Sequence, residues 1–376
     1  MNFGFNEEQK SLGETVAQQL ADFPALTAPD PVAGHDLEAW TALAGLGLFS
    51  LIIPEEHGGV GLPLVDIALA IEALGAGLAP PIVASTLIAA DVIARHGSDA
   101  LKAQFLSRIA AGELRIAIAT LEAGQGYDTD HVQTVFGGGG VTGTKILVAD
   151  ARQADAFLVL VRCDGRPALA LIQRAARGVS LRPHADIDPS SGLCELVLDA
   201  AAVAGDALIS HKQPDEAVSR LLDVAATVYA GMEIGIAARM LETAVDYART
   251  RVQFGQPIGA FQAIKHRCAD MAVAVEAGRS AAYYAFWAVS EDAPDRSRAS
   301  SMAKAYCGEV ARDACNEAIQ IHGGMGFTWE LGLHRFLRRA KVLEHGFGNH
   351  AWHYERVIAA TLAGGRPASD VQRDAA

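Results

Sequence analysis

The apolar positions along the chain change their period twice. Between Glu7 and Phe23, Leu12, Val16 and Leu20 recur at helical spacing. Asn6, with Gln9 three residues on, is the pair that opens a helix with a capping box. Helical spacing continues over 37–46, 64–74, 83–96 and 100–110, separated by turn signals at Pro54-Glu-Glu-His-Gly-Gly, Gly75-Ala-Gly and Pro80-Pro81. From Leu114 to about Ile209 the texture differs. Short apolar runs at 115–121, 145–148, 156–161, 169–172 and 193–198 alternate with Gly, Pro, Asp and Ser, which predicts a small β-barrel or sandwich rather than βαβ units. Gly137–Gly140 predicts a hairpin turn, because the following Val141-Thr-Gly-Thr-Lys-Ile is strand-like and a phosphate loop needs a helix there. After Pro214 the helical period returns in long pieces at 215–251, 261–289 and 296–321, then near 330–341 and 350–362. Leu221, Ala225, Val228, Met232 and Ala238 keep helical spacing in the first of these, and the set predicts a bundle. The expected architecture is α+β: an N-terminal helical domain over 1–113, a β domain over 114–212 and a C-terminal helical domain over 213–376.

Composition narrows the function. With 376 residues, half of them apolar and a fifth charged, the chain can bury more than one core. Its net charge of −13 disfavours nucleic acid and anionic membrane surfaces. Cys163, Cys194, Cys268, Cys307 and Cys315 are odd in number and hold no Cys-x-x-Cys pair, as expected of thiols in a reducing compartment. The first residues lack a basic stretch followed by an apolar one, so no signal peptide is expected. The most apolar segment, 221–245, is broken by Asp223, Glu233, Arg239 and Glu242, so no membrane span is expected either. A cytoplasmic protein is the resulting expectation.

Two segments carry candidate chemistry. In Tyr247-Ala-Arg-Thr-Arg251-Val-Gln-Phe254-Gly-Gln-Pro-Ile-Gly-Ala-Phe261-Gln262 a helix ends in arginines, turns through Gly and Pro, and restarts. That sets a guanidinium and an amide beside free backbone amides, an anion grip; the plainer reading is a helix end whose arginines complement the dipole. In Gln320-Ile-His322-Gly323-Gly324-Met-Gly326 a helix runs into a turn where backbone can approach a ligand, or where a glycine simply caps the helix.

At this separation and in this domain order, Arg-x-Gln-Phe-Gly-x-Pro…Phe-Gln and Gln-x-His-Gly-Gly-x-Gly resemble the acyl-CoA dehydrogenase family, along essentially the whole chain. The resemblance implies an N-terminal helical domain, a middle β-barrel and a C-terminal four-helix bundle. It also implies FAD at a subunit interface of a dimer of dimers, an acyl-CoA thioester oxidised between Cα and Cβ, a carboxylate base, and electron-transferring flavoprotein as acceptor. By the same resemblance Arg251 holds the FAD pyrophosphate, Phe254 and Gln262 lie beside the ADP portion, and Gln320, Gly323 and Gly324 line the same dinucleotide, all offered to the FAD of a neighbouring subunit.

Other family positions are changed. Where the resemblance places the catalytic glutamate stands Phe347, and where a flavin-contacting Thr belongs stands Asn349. The alternative base position, on the first long helix of the bundle, is Ala225. Asp223 and Glu344 are the nearby carboxylates; Asp223 lies about 200° round the helix from Ala225. On the flavin side, Leu121, Leu147 and Ala149 replace polar or aromatic groups, and none of them can hydrogen-bond a developing charge. The resulting expectation is the base-lacking subunit of a heteromeric enzyme, similar to two-gene enzymes acting on steroid side-chain or dicarboxylyl CoA thioesters, with a second acyl-CoA dehydrogenase-like subunit as partner. Three readings compete: a homo-oligomeric dehydrogenase with a relocated base at Glu344 or Asp223, a flavin-dependent monooxygenase or nitroalkane oxidase relative, and a scaffold without cofactor. His345, His350, His353 and Glu355 lack a fixed third ligand, so no metal is expected. His57 is expected in a loop, and Tyr283, Tyr284 and Trp287 in packing.

Overall fold

The computed structural model describes residues 4–24, 27–28, 35–203, 207–209 and 214–364. The N-terminal part holds α1 (Glu7–Ala21), α2 (His35–Gly45), α3 (Ala68–Ala76), α4 (Pro81–His96) and α5 (Asp99–Ala110). The capping box forms as expected: the Gln9 N–H donates to Asn6 Oδ1 at 2.8 Å, and the Asn6 N–H donates to Gln9 Oε1 at 2.9 Å. The helix expected over 64–74 is divided, a 3₁₀ turn at Leu64–Ile67 preceding α3.

The middle part is one sheet of β1 (Ile116–Ala119), β2 (Val135–Gly137), β3 (Gly140–Val148), β4 (Ala156–Cys163), β5 (Arg166–Gln173), β6 (Val179–Pro183), β7 (Cys194–Ala202) and β8 (Leu208–Ile209). Its order is β6-β7-β3-β2-β4-β5-β8, with β1 parallel to β4; among the described residues β6 and β8 do not pair, leaving a seam. Gly138 and Gly139 turn the β2–β3 hairpin with φ of 61° and 79°, the left-handed pair that a two-residue turn needs. Strand β2 is the first arm of the expected hairpin, whereas the short strands β6 and β8 are additions to the expectation.

The C-terminal part holds α6 (Pro214–Thr250), the hairpin β9 (Val252–Gln253) and β10 (Gln256–Pro257), α7 (Gln262–Ser290), α8 (Arg296–His322), α9 (Leu333–His345) and α10 (His350–Gly364). Helix α9 starts three residues later than expected, after Gly332 turns the chain at φ 71°. Helix α6 packs against α3, α4, α7, α8, α9 and β5, and its most apolar stretch is 94% buried inside the protein. Its length and hydropathy thus belong to a core helix. Gly235 lets α3 close on it, because a Cβ there would run into the Glu72 carbonyl.

One buried side chain ties the three parts together. Arg339 of α9 donates from Nε to Asp188 Oδ2 at 2.6 Å, from Nη1 to the Ala79 carbonyl at 2.9 Å and from Nη2 to Ser190 Oγ at 2.9 Å. Burial alone would raise the Asp188 pKa, but Arg339 and the hydroxyls of Ser190 and Ser191 hold it at about 2. Beside it Asp150 accepts the Ile82 N–H at 2.9 Å, and burial pushes this carboxyl up to about 7. A second buried pair, Arg220 on Asp91 at 2.8 Å through both Nε and Nη2, fastens α4 to α6.

Replacing Arg339 by Met leaves Asp188 buried without its cation and is expected to lower unfolding free energy by about 3–5 kcal/mol in urea titration. Asp150 acts in the opposite pH sense. Between about pH 4, the ordinary carboxyl value, and about 7 the folded state keeps a proton that the unfolded chain releases, so its contribution falls as pH rises. Asp150→Asn retains the acceptor for Ile82, and its Tm is expected to decline less over this window than that of the parent. An unchanged slope refutes the assignment.

Candidate functional site

The three parts meet around a cavity of about 310 Å³. Leu121, Leu147, Ala149 and Phe347, singled out separately in the sequence, all line it. Each is positioned by a local constraint. Leu121 follows β1 in a loop stapled by Glu122, whose carboxylate accepts the N–H groups of Gln133 (2.7 Å) and Thr134 (2.8 Å) and the Lys145 ammonium at 2.7 Å. Burial would raise Glu122, yet these donors hold it below the usual carboxylate range, while burial draws Lys145 down to about 8. Leu147 sits at a register shift of β3 with φ 55°, and Phe347 follows α9 with φ 57°. Gly348, at φ 116°, admits the Trp352 and His353 rings where a Cβ would collide, and Asn349 caps α10 by accepting the Trp352 N–H at 3.0 Å. Phe347 is thereby held with its ring edge-on to Tyr229 at 4.9 Å.

The sequence-derived carboxylates do not enter this cavity. Glu344 is buried between Arg312 (2.6 Å) and Lys341 (3.0 Å); burial would raise its pKa, but the two cations hold it below the ordinary value. Asp223 is fully buried, gripped by Ser297 (2.6 Å), Arg296 (3.2 Å) and Arg356 (3.2 Å). Ala225 is core and also stands off the cavity; the α6 side chain that lines it is Tyr229, one turn further on. The lining acid is one that sequence reasoning missed: Asp186, in the loop after β6. Its Oδ1 is buried without a hydrogen bond, and burial pushes its pKa up. Nothing local in the sequence marks it, since only the tertiary fold brings it to α6 and α9.

The grip segments lie elsewhere. Arg251, Phe254, Gln262, Gln320, Gly323 and Gly324 are all exposed. Phe254 and Gly255 form the two-residue tip of β9–β10, with φ of 52° and 79°, and the Phe254 side chain is 92% exposed. Its ring meets Phe261, at the start of α7, edge-on at 6.1 Å. The ends of α6 and α8 are joined by Tyr247 stacked on His322 at 4.2 Å, with His322 Nδ1 donating to the Ala318 carbonyl at 2.7 Å. A Cβ at Gly255, Gly323 or Gly324 would meet only open space, so these backbones are accessible from outside. Phe327 (82%) and Met325 (50%) are also exposed beyond Gly324.

His353 is fully buried with neither ring nitrogen partnered, and burial drives its pKa far down. Among the described residues no three His, Cys, Asp or Glu side chains are grouped to hold a metal ion. His57 is half-buried beside Glu56, while Tyr283 packs on Phe5 and Tyr284 stacks on Trp287.

Comparison with known proteins identifies the family. The family description "Acyl-CoA dehydrogenase, N-terminal domain" matches residues 6–113, and "Acyl-CoA dehydrogenase, C-terminal domain" matches residues 216–362. The probable acyl-CoA dehydrogenase YngJ of Bacillus subtilis is 30% identical over 374 residues, covering 93% of this chain and 96% of the relative. Acyl-CoA dehydrogenase IpdE2 of Mycobacterium tuberculosis is 34% identical over 340 residues, covering 89% and 91%. A chain of the ChsE4–ChsE5 complex of Mycobacterium tuberculosis superposes with a TM-score of 0.87 at 28% identity, covering 98% of this chain and 100% of that one. With two domain descriptions matched and relatives aligned nearly end to end, the chain belongs to the acyl-CoA dehydrogenase family.

Proposed function

We propose that this chain is the base-lacking subunit of a heteromeric acyl-CoA dehydrogenase, lending its exposed grip to FAD seated mainly on a second acyl-CoA dehydrogenase-like subunit. The observation that carries the reading is a contrast. The flavin-side and base positions implied by the family, Leu121, Leu147, Ala149 and Phe347, converge on one cavity and offer it hydrocarbon. The six positions to which the resemblance assigns the dinucleotide face outward.

The fit to FAD differs between the two places. The grip fits: Arg251 supplies a guanidinium, Gln262 and Gln320 supply amides, and open space over Gly323 and Gly324 leaves backbone N–H groups accessible to a pyrophosphate. The cavity fits a working flavin ring poorly, because the side chains replacing the family's flavin partners carry no donor. Bound FAD supplies the hydride acceptor for oxidation of the thioester Cα–Cβ bond. This chain's residues hold the dinucleotide of the partner and, through Phe254 and Phe327, give that subunit an apolar surface to cover. Similarity to a chain of the ChsE4–ChsE5 complex supports a two-subunit arrangement. The reading includes a dimer of dimers, a steroid side-chain or dicarboxylyl CoA thioester, electron-transferring flavoprotein as acceptor, and the cytoplasm.

Asp186 favours one other reading, a homo-oligomeric dehydrogenase with a relocated base. It is a cavity carboxyl with a free buried oxygen and a raised pKa, the combination a general base needs.

The test compares the chain alone with the chain co-purified with its partner subunit. Alone it is expected to be colourless; the pair is expected to hold one FAD per two chains. Arg251→Gln is expected to weaken FAD binding by the pair about 10- to 100-fold, as loss of a charged hydrogen bond does. Asp186→Asn is expected to leave turnover within about twofold, because the base belongs to the partner. Stoichiometric FAD and turnover in the isolated chain, abolished by Asp186→Asn, would overturn the proposal.

A further inference from the structure

The cavity holds groups that the proposed function does not use. Tyr229 and Ser85 both line it and are only 7% and 2% exposed, and among the described residues neither hydroxyl forms a hydrogen bond within the protein. The half-buried Thr120 hydroxyl is on the same lining. Hydroxyls that reach a cavity without a protein partner are available to a ligand oxygen or to water. The volume, about 310 Å³, is within the range of small-molecule sites.

Backbone strain converges on the same place. Leu147 and Phe347 lie in the left-handed region, where an L-residue with a large side chain is disfavoured, and both line the cavity. Such strain gathers where a side chain must be aimed at a ligand. The charged lining gives little to an anion: Lys341 is bonded to Glu344 at 3.0 Å, Asp186 repels negative charge when ionised, and burial holds His345 toward its neutral form.

From this we infer that the cavity is a ligand site in its own right, taking an uncharged, largely hydrocarbon molecule whose carbonyl or hydroxyl oxygens pair with Tyr229, Ser85 and Thr120. The inference rests on the proposed exclusion of a flavin ring from this cavity. No bond is made or broken there.

The probe is 6-propionyl-2-dimethylaminonaphthalene, an uncharged fluorescent ketone, titrated into the purified full-length chain. A saturable blue shift with one site per chain is expected, unaffected by excess riboflavin and by Phe254→Ser, which removes the exposed ring. Ala149→Trp, filling the cavity from its wall, is expected to abolish the shift. Tyr229→Phe is expected to weaken binding about threefold to tenfold, the range for one neutral hydrogen bond. No saturable shift, or a shift that survives Ala149→Trp in a sample with parental circular dichroism, overturns the inference. Should Ala149→Trp not fold, Tyr229→Phe decides, and unchanged affinity overturns it. Displacement by riboflavin sinks this inference and the base-lacking reading together. A colourless chain that ignores the ketone sinks this one alone, and the flavin content of the pair is read independently.

Discussion

A guanidinium buried at the meeting point of all three parts is the constraint on which the rest depends. Arg339 has no water to fall back on, so its charge must be answered by Asp188, the Ala79 carbonyl and Ser190 together. Those partners come from before α4, from the loop after β6 and, through Arg339 itself, from α9. Neighbours of each one are cavity wall: Ser85 on α4, Asp186 and Ile187 in the loop, and Lys341, Val342 and His345 to Phe347 at the end of α9. The ion pair therefore sets the relative position of the walls as well as the stability of the fold. Desolvation makes it a poor source of net stabilisation and a strong selector of one arrangement, since any slippage would strand a charge.

Left-handed backbone at bulky residues divides the surface into an inward and an outward task. Leu147 and Phe347 are bent into the cavity, whereas Phe254 is bent out at a hairpin tip with almost all of its side chain in solvent. A lone exposed aromatic is ordinary; one held there at a conformational cost of about 1–2 kcal/mol, with Phe327 and Met325 also exposed past the α8 end, is a surface that a second chain would bury.

Much of the fold was legible because the period of apolar residues is a local property. The long helices, the tetraglycine hairpin and the α1 capping box all follow from residues near each other in sequence. Strand β6 was not legible: its residues are mostly exposed, and its pairing is decided by β7. For the site, the resemblance drew attention to four wall positions, and three-dimensional structure brings them into one cavity. Asp186, Ser85 and Tyr229 escaped notice because an acid in a loop and hydroxyls on apolar helices carry no spacing signal. Their significance lies in sharing one cavity wall, which only a folded chain can reveal.

The same contrast between answered and unanswered polar groups orders the candidate bases. To accept a substrate proton, Glu344 would have to leave Arg312 and Lys341, and Asp223 would have to leave Arg296, Arg356 and Ser297. For Glu344 the two cations favour the ionised form and so reduce its basicity, and in each case breaking the contacts leaves buried charge uncompensated. Asp186 has the opposite character, with a raised proton affinity and one free oxygen. It alone among the three is chemically poised, yet it stands in a cavity whose flavin-side positions are hydrocarbon. A base is useful only opposite a hydride acceptor, so Asp186 on these walls fits better as a polar contact for a ligand that does not react.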